Sequence, residues 1–199
     1  MANDGGKARV PTATELRRVM TIARSGKHAK RNFALMQFSY RLGLRAKEMA
    51  GLTVSDVLAS DGRVKEDLTL TAAVTKGKKP RTIYLANSVV QNALTDYLND
   101  RRDSEGILFN MQAPLFKSQK ARNFSPNTMQ QLFHRLYQAA GIDGARSHSG
   151  RRWFATELIS KGVDIKAVSV LMGHSSVGMT AHYVEDNPQR LRRIAAELV

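Results

Sequence analysis

His148-Ser149-Gly150-Arg151 sets an imidazole and a guanidinium three residues apart, which places both on one face of a helix reading from Ser147 to Ser160. Downstream stand Gly173-His174 and, nine residues after that histidine, Tyr183. Upstream lies Leu42-Gly43-Leu44-Arg45-Ala46-Lys47-Glu48. Two arginines, two histidines and a tyrosine suit a metal-free phosphodiester exchange: arginines hold a phosphate, histidines handle protons, and a phenol becomes a covalent nucleophile.

Each piece has a plainer reading when taken alone. Arg45 and Glu48 form an i, i+3 pair that at a surface contributes roughly a few tenths of a kcal/mol. Next to a helix start, the same arginine joins backbone N–H donors in an anion site. His148 and Arg151 also fit a basic helix face shared with Arg152 and Lys161. His174 fits a capping histidine against the last carbonyls of a helix. Tyr183 fits ordinary packing with a satisfied hydroxyl. Lys76, Lys78 and Lys79 crowd one hairpin tip, where they either reach a leaving-group oxygen, grip backbone phosphate, or form a solvated turn. That tip is no P-loop, because Pro80 leads into a strand.

Composition narrows the partner. The 199 residues carry 31 Lys and Arg against 17 Asp and Glu, a formal charge of +14, which predicts a polyanionic partner. Nucleic acid is favoured over an anionic membrane surface. With no cysteine, disulfides and thiolate metal sites are excluded. His148, His174 and His182 lack the spacing of a zinc-binding helical pair, and no carboxylate set suits two metals. No metal and no cofactor are expected. Met1 to Val10 has no apolar segment fit for a signal peptide, and no apolar run has transmembrane length, so a cytoplasmic protein with no membrane partner is expected.

The pattern of elements is mainly helical with a small sheet, an α+β class. Thr12-Ala13-Thr14-Glu15 is a capping box opening a helix to about Ser25. Helices are predicted from Lys27 to Leu42, with Gly43 beyond its end, and from Arg45 to Leu52. Leu68, Leu70, Ala72 and Val74 alternate with Thr69, Thr71, Ala73 and Thr75, which predicts a half-buried strand, and Arg81 to Leu85 returns from the lysine turn. Val54 to Leu58 is predicted as a third short strand. Helices follow from Asn87 or Ser88 to Arg102, from Pro126 to Ala140, from Ile165 to Met172 after the cap Asp164, and from Thr180 to Glu185. A last helix runs from Asn187-Pro188 to Val199, with Leu191, Ile194, Ala195 and Leu198 at helical spacing. Residues 1–10 read as a mobile tail and 11–199 as one domain.

In order and spacing, Gly43-Leu44-Arg45-Ala46-Lys47-Glu48, Lys76, His148-Ser149-Gly150-Arg151, Gly173-His174 and Tyr183 resemble the tyrosine recombinase, or phage integrase, family. The likeness spans residues 12–186. It implies the catalytic-domain fold of that family and a site-specific recombinase, integrase or invertase acting on double-stranded DNA. Arg45 and Arg151 would clamp the scissile phosphate with His174. Tyr183 would attack it to give a 3′-phosphotyrosyl link, His148 would assist as base, and Lys76, with Lys78 in reserve, would protonate the leaving oxygen. The family also implies a tetramer on DNA and accessory DNA-bending proteins.

Gly150 and Arg152 depart from the family's Leu and His at those places. A chain starting at the catalytic domain is similar to the short fimbrial-type invertases. It is expected to lack the core-binding domain of about a hundred residues that precedes this one in most members. A DNA-binding regulator of the same fold and a type IB topoisomerase are the alternatives.

Overall fold

The protein is described from a computed structural model, which covers residues 8–73, 75, 80–119, 123–181, 192, 195 and 196. Lys76, Lys78, Lys79, His182 and Tyr183 lie outside the described residues, as does the expected C-terminal helix apart from Arg192, Ala195 and Ala196.

Helix α1 (Ala13–Ala23) starts where the capping box predicts: Thr12 Oγ1 accepts from the Glu15 N–H at 3.3 Å, and Glu15 Oε2 accepts from the Thr12 N–H at 2.8 Å. Helix α2 (Ala29–Arg41) is the centre of the molecule. Seven consecutive residues, Ala34 to Tyr40, are buried, so the helix is covered on every side. It lies against α1, against α5 (Ser88–Glu105) and against α7 (Ser149–Ser160). The apolar positions of α5 (Val90, Ala93, Leu94, Tyr97, Leu98) recur at helical spacing and form the stripe that meets α2. Arg101 continues that stripe. Its guanidinium donates to Glu105 and to the Pro114 and Leu115 carbonyls, fastening the loop after α5.

Between α2 and α5 the chain forms α3 (Ala46–Ala50), α4 (Val54–Val57) and a two-stranded antiparallel sheet. Strands β1 (Asp67–Leu70) and β2 (Arg81–Tyr84) pair Leu68 with Ile83 and Leu70 with Arg81. The expected third strand at Val54 to Leu58 is a helical turn instead. Asp56 accepts from the Thr53 N–H at 2.7 Å, which satisfies the first turn and lets Val54 and Val57 enter the core together. Strand β1 is also shorter than its alternation implies. It ends at Leu70, because the chain turns at Ala72 and Ala73, both exposed.

Helices α6 (Pro126–Ala139), α7, α8 (Ile165–Met172) and α9 (Val177–Ala181) complete the described chain. The last helix predicted before the C-terminal one thus begins three residues earlier than expected. Among the described residues, no helix is long and apolar enough to cross a membrane.

Close approach of α7 to α2 depends on Gly150. A Cβ there would stand 2.1 Å from Ser39 Oγ and 3.0 Å from Tyr40 Cδ2. A larger side chain at this position would not fit over Ser39. Beside the contact, the Tyr137 hydroxyl bonds that of Tyr40 at 3.0 Å, and Trp153 packs edge-on to Tyr40 with ring centroids 6.2 Å apart. Arg152, the other departure, is buried, and its Nη1 donates to the Ala8 carbonyl, which seats the start of the described chain next to α7. Gly150→Ala is expected to destabilise the fold by about 1–3 kcal/mol through overpacking. Ser39→Gly in the same chain should recover part of that loss in urea denaturation; no recovery would place the strain elsewhere.

Candidate active site

Arg45 is the N-cap of α3, reached after Gly43 turns the chain out of α2 with φ +63°. Its guanidinium is held by Glu48: Arg45 Nη1 meets Oε1 at 2.8 Å, and the Arg45 backbone N–H meets Oε2 at 2.7 Å. This is not the surface pair that spacing alone allows. Glu48 is fully buried, while the Arg45 side chain retains 14% exposure. A second cation shares the carboxylate, since Arg81 Nη2 donates to Glu48 Oε2 at 2.8 Å. Burial alone would raise the Glu48 carboxyl. The Arg81 guanidinium, the Arg45 N–H and the charges of Arg151 and Arg45 outweigh it and hold the group below its ordinary range.

Arg151 is fully buried. Its Nη1 donates to the Gly43 carbonyl and its Nη2 to the Met172 carbonyl, so it joins the end of α2 to the end of α8. His148, which the sequence set on the same helical face, is the N-cap of α7 and is exposed. The two residues therefore belong to one helix start but to different environments.

The C-terminus of α8 has four carbonyls with no partner inside the helix. All four are accounted for. The His174 N–H bonds Ser169 O at 3.0 Å, and the Gly173 N–H bonds Val170 O at 2.9 Å. Arg81 takes Leu171 O at 2.5 Å, and Arg151 takes Met172 O. Two cations thus sit at the negative end of the helix, where its dipole favours them. The left-handed turn at Gly173 (φ +61°) allows this, and a Cβ there would meet Arg81 Cδ at 2.3 Å.

The turn delivers His174 to the same place. Nδ1 of His174 lies 2.8 Å from Thr180 Oγ1 on α9. Burial, then the charges of Arg151, Arg45 and Arg81, against the opposing pull of Glu48, bring its pKa down to about 4. The imidazole is therefore neutral at pH 7. In the tautomer in which Thr180 donates to Nδ1, the ring proton sits on Nε2 and is available to an acceptor.

The structure brings together Arg45, Arg151 and His174 from three separate segments around one buried carboxylate. It sets His148 at the surface of the adjoining helix. Lys76 and Tyr183 lie outside the described residues. Arg81 was not singled out from the sequence, although its signal was there. It shares the parity of Ile83 and Leu85, both buried, and faces Leu70 across the ladder. A charge on the apolar side of a strand requires a buried acid or carbonyl partner.

Residues 9–190 match the phage integrase family. The chain is 32% identical to the tyrosine recombinase XerD of Yersinia pestis over 171 residues, which are 82% of this chain and 52% of that protein. Of the solved structures, XerA recombinase superposes with a TM-score of 0.77 at 24% identity, over 98% of this chain and 65% of that one. XerH recombinase bound to a palindromic difH substrate, in a post-cleavage complex, gives 0.71 at 23% identity, over 94% and 52%. The chain spans about half the length of the curated relatives it matches.

Charge removal at the centre should be costly. Glu48→Gln keeps the shape but removes the buried counter-ion shared by two largely covered guanidinium groups, a loss of about 3 kcal/mol in urea denaturation. Stability should also decline in acid. Glu48 has a depressed pKa when folded, so its contribution is present above the ordinary 4.5 and is lost as pH falls through the folded value. His174, moved from 6.5 to about 4, binds its proton more readily unfolded, so stability drops further as pH falls from 6.5 to 4. His174→Gln should flatten that second segment of a stability-against-pH curve; an unchanged slope would mean that the imidazole is not shifted.

Proposed function

The chain belongs to the phage integrase family, and from that premise we propose that it is a site-specific recombinase that cuts and rejoins duplex DNA. The observation that carries the proposal is the convergence of Arg45, Arg151 and His174, from α3, α7 and the α8–α9 turn, about the buried Glu48. Such a preorganised cationic site stabilises the charge that builds on the non-bridging oxygens of a phosphate under attack. Arg45, partly exposed, is the direct grip. Arg151 adds its charge from below, and neutral His174 donates a hydrogen bond.

In this reading the Tyr183 phenolic oxygen attacks phosphorus. A P–O bond forms to tyrosine while the bond to the 5′ oxygen breaks, leaving a 3′-phosphotyrosyl link. The phenolic proton passes to His148. The departing 5′ oxygen takes a proton from the hairpin lysine, Lys76 or else Lys78. Attack by a 5′-hydroxyl from a partner strand reverses each step and restores the tyrosine, so the phosphodiester bond is conserved without an external energy source.

Three of the other tyrosines are poor nucleophiles. Tyr40, Tyr97 and Tyr137 are buried, and burial pushes the ionisation of all three upward. Tyr84 is exposed, but on β2. Residues 11–199 then act as the catalytic domain, with double-stranded DNA as partner, in the cytoplasm. A tetramer would pair two duplexes, and accessory DNA-bending proteins would assist.

A nicked duplex that loses its 5′-hydroxyl fragment on cleavage traps the covalent complex. The wild type should accumulate it at a particular site. Tyr183→Phe should form none while binding DNA as before, and a covalent complex in that variant would reassign the nucleophile. Binding should weaken steeply with salt, as expected for an interface dominated by phosphate contacts on a chain of charge +14. A flat response in a titration from low to moderate salt would contradict such an interface.

A further inference from the structure

Arg81 stands at the first position of β2. Its guanidinium makes two bonds in different directions, one to Glu48 Oε2 at 2.8 Å and one to the Leu171 carbonyl at 2.5 Å. The first acceptor belongs to α3, whose N-cap is Arg45. The second belongs to the last turn of α8, two residues before Gly173-His174. The side chain is 9% exposed, and its stem lies against Gly173, where even a methyl group would collide with it.

We propose that Arg81 is a positioning residue of the strand-transfer site, fixing the start of β2 against α3 and α8 at once and so setting Arg45 and His174 relative to one another. The inference rests on the recombinase reading for the reaction it serves; the contacts themselves do not depend on that reading. A planar fork with separate donors is what the geometry demands. Lysine carries its three donors on a single nitrogen and lacks the fixed planar fork, so it cannot hold both acceptors at the separations the guanidinium sets.

The Arg81 Nε–H is buried and, among the described residues, has no hydrogen-bond acceptor. Replacing Arg81 alone takes one guanidinium from the buried Glu48, so a loss of stability is expected whatever its role, and only the rate of the folded protein separates the two readings. A residue kept for stability alone would leave that rate unchanged. A residue that positions three segments would not, since a displacement of about 1 Å in a catalytic group costs on the order of a hundredfold in rate.

The test compares wild type, Arg81→Met and Arg81→Lys by covalent trapping on the nicked duplex and by NMR titration of histidine-labelled protein. The His174 signal is assigned among the five histidines with His174→Gln. Among the described residues, the groups acting on that imidazole include Arg151 from α7, Arg45 and Glu48 from the start of α3, Arg81 from β2, and Thr180 from α9, which bonds Nδ1. Trapping should slow by about a hundredfold in Arg81→Met and at least tenfold in Arg81→Lys, with DNA binding retained. In Arg81→Met the His174 titration should rise above about 4 while staying below 6.5, because burial and the charges of Arg151 and Arg45 remain. Trapping within twofold of wild type in both variants, or an unmoved His174 titration, would overturn the proposal. If wild type itself traps nothing, the recombinase reading falls, and the titration alone still decides whether Arg81 sets His174. Should Arg81→Met fail to fold, Arg81→Lys decides by trapping rate and by any change in the His174 titration.

Discussion

One buried carboxylate organises this molecule. Glu48 has no exposure, and an anion so placed is tolerable only when cations and donors surround it closely. Arg45, Arg81 and the Arg45 N–H supply that shell, and the positive charge they leave over is what a phosphate would meet. The carboxylate thus brings the arginines together against their mutual repulsion, and the excess charge left beside it is the property a DNA-cleaving site needs.

The end of α8 is the second fixed point. Its four terminal carbonyls are divided between its own turn and two arginines from distant parts of the chain. Helix termination and site assembly are consequently one event. The turn that stops α8 at Gly173 also presents His174, and the side chains that satisfy the stopped helix add their charge to the burial that lowers the basicity of that histidine.

Much of this was legible in the residues. The Thr12–Glu15 box, Pro126 at the start of α6, Asp164 and Gly173 around α8 and the stripe of α5 are local signals, set by backbone donors and acceptors within a few positions, and the structure follows them. The misreadings share a cause. Val54 to Leu58 offered two valines and a leucine, which suit a strand, but Asp56 closes a hydrogen bond on Thr53 and the segment curls. The alternation after Leu70 promised more strand than the fold uses, because Ala72 and Ala73 have nothing to pack against. In the site, Arg45, Arg151 and His174 were found by pattern, whereas their burial and shared acid were not. Arg81 escaped because nothing within its own stretch of chain names a partner thirty-three positions upstream.

Trp153 is the single tryptophan of the chain. It is carried on α7 two residues beyond Arg151 and stacks edgewise on Tyr40, partly open to solvent. An indole in that setting emits at a wavelength set by how much water reaches it. Any shift of α7 against α2 would alter its emission, and the molecule therefore carries its own optical gauge of movement between these two helices, with no label attached.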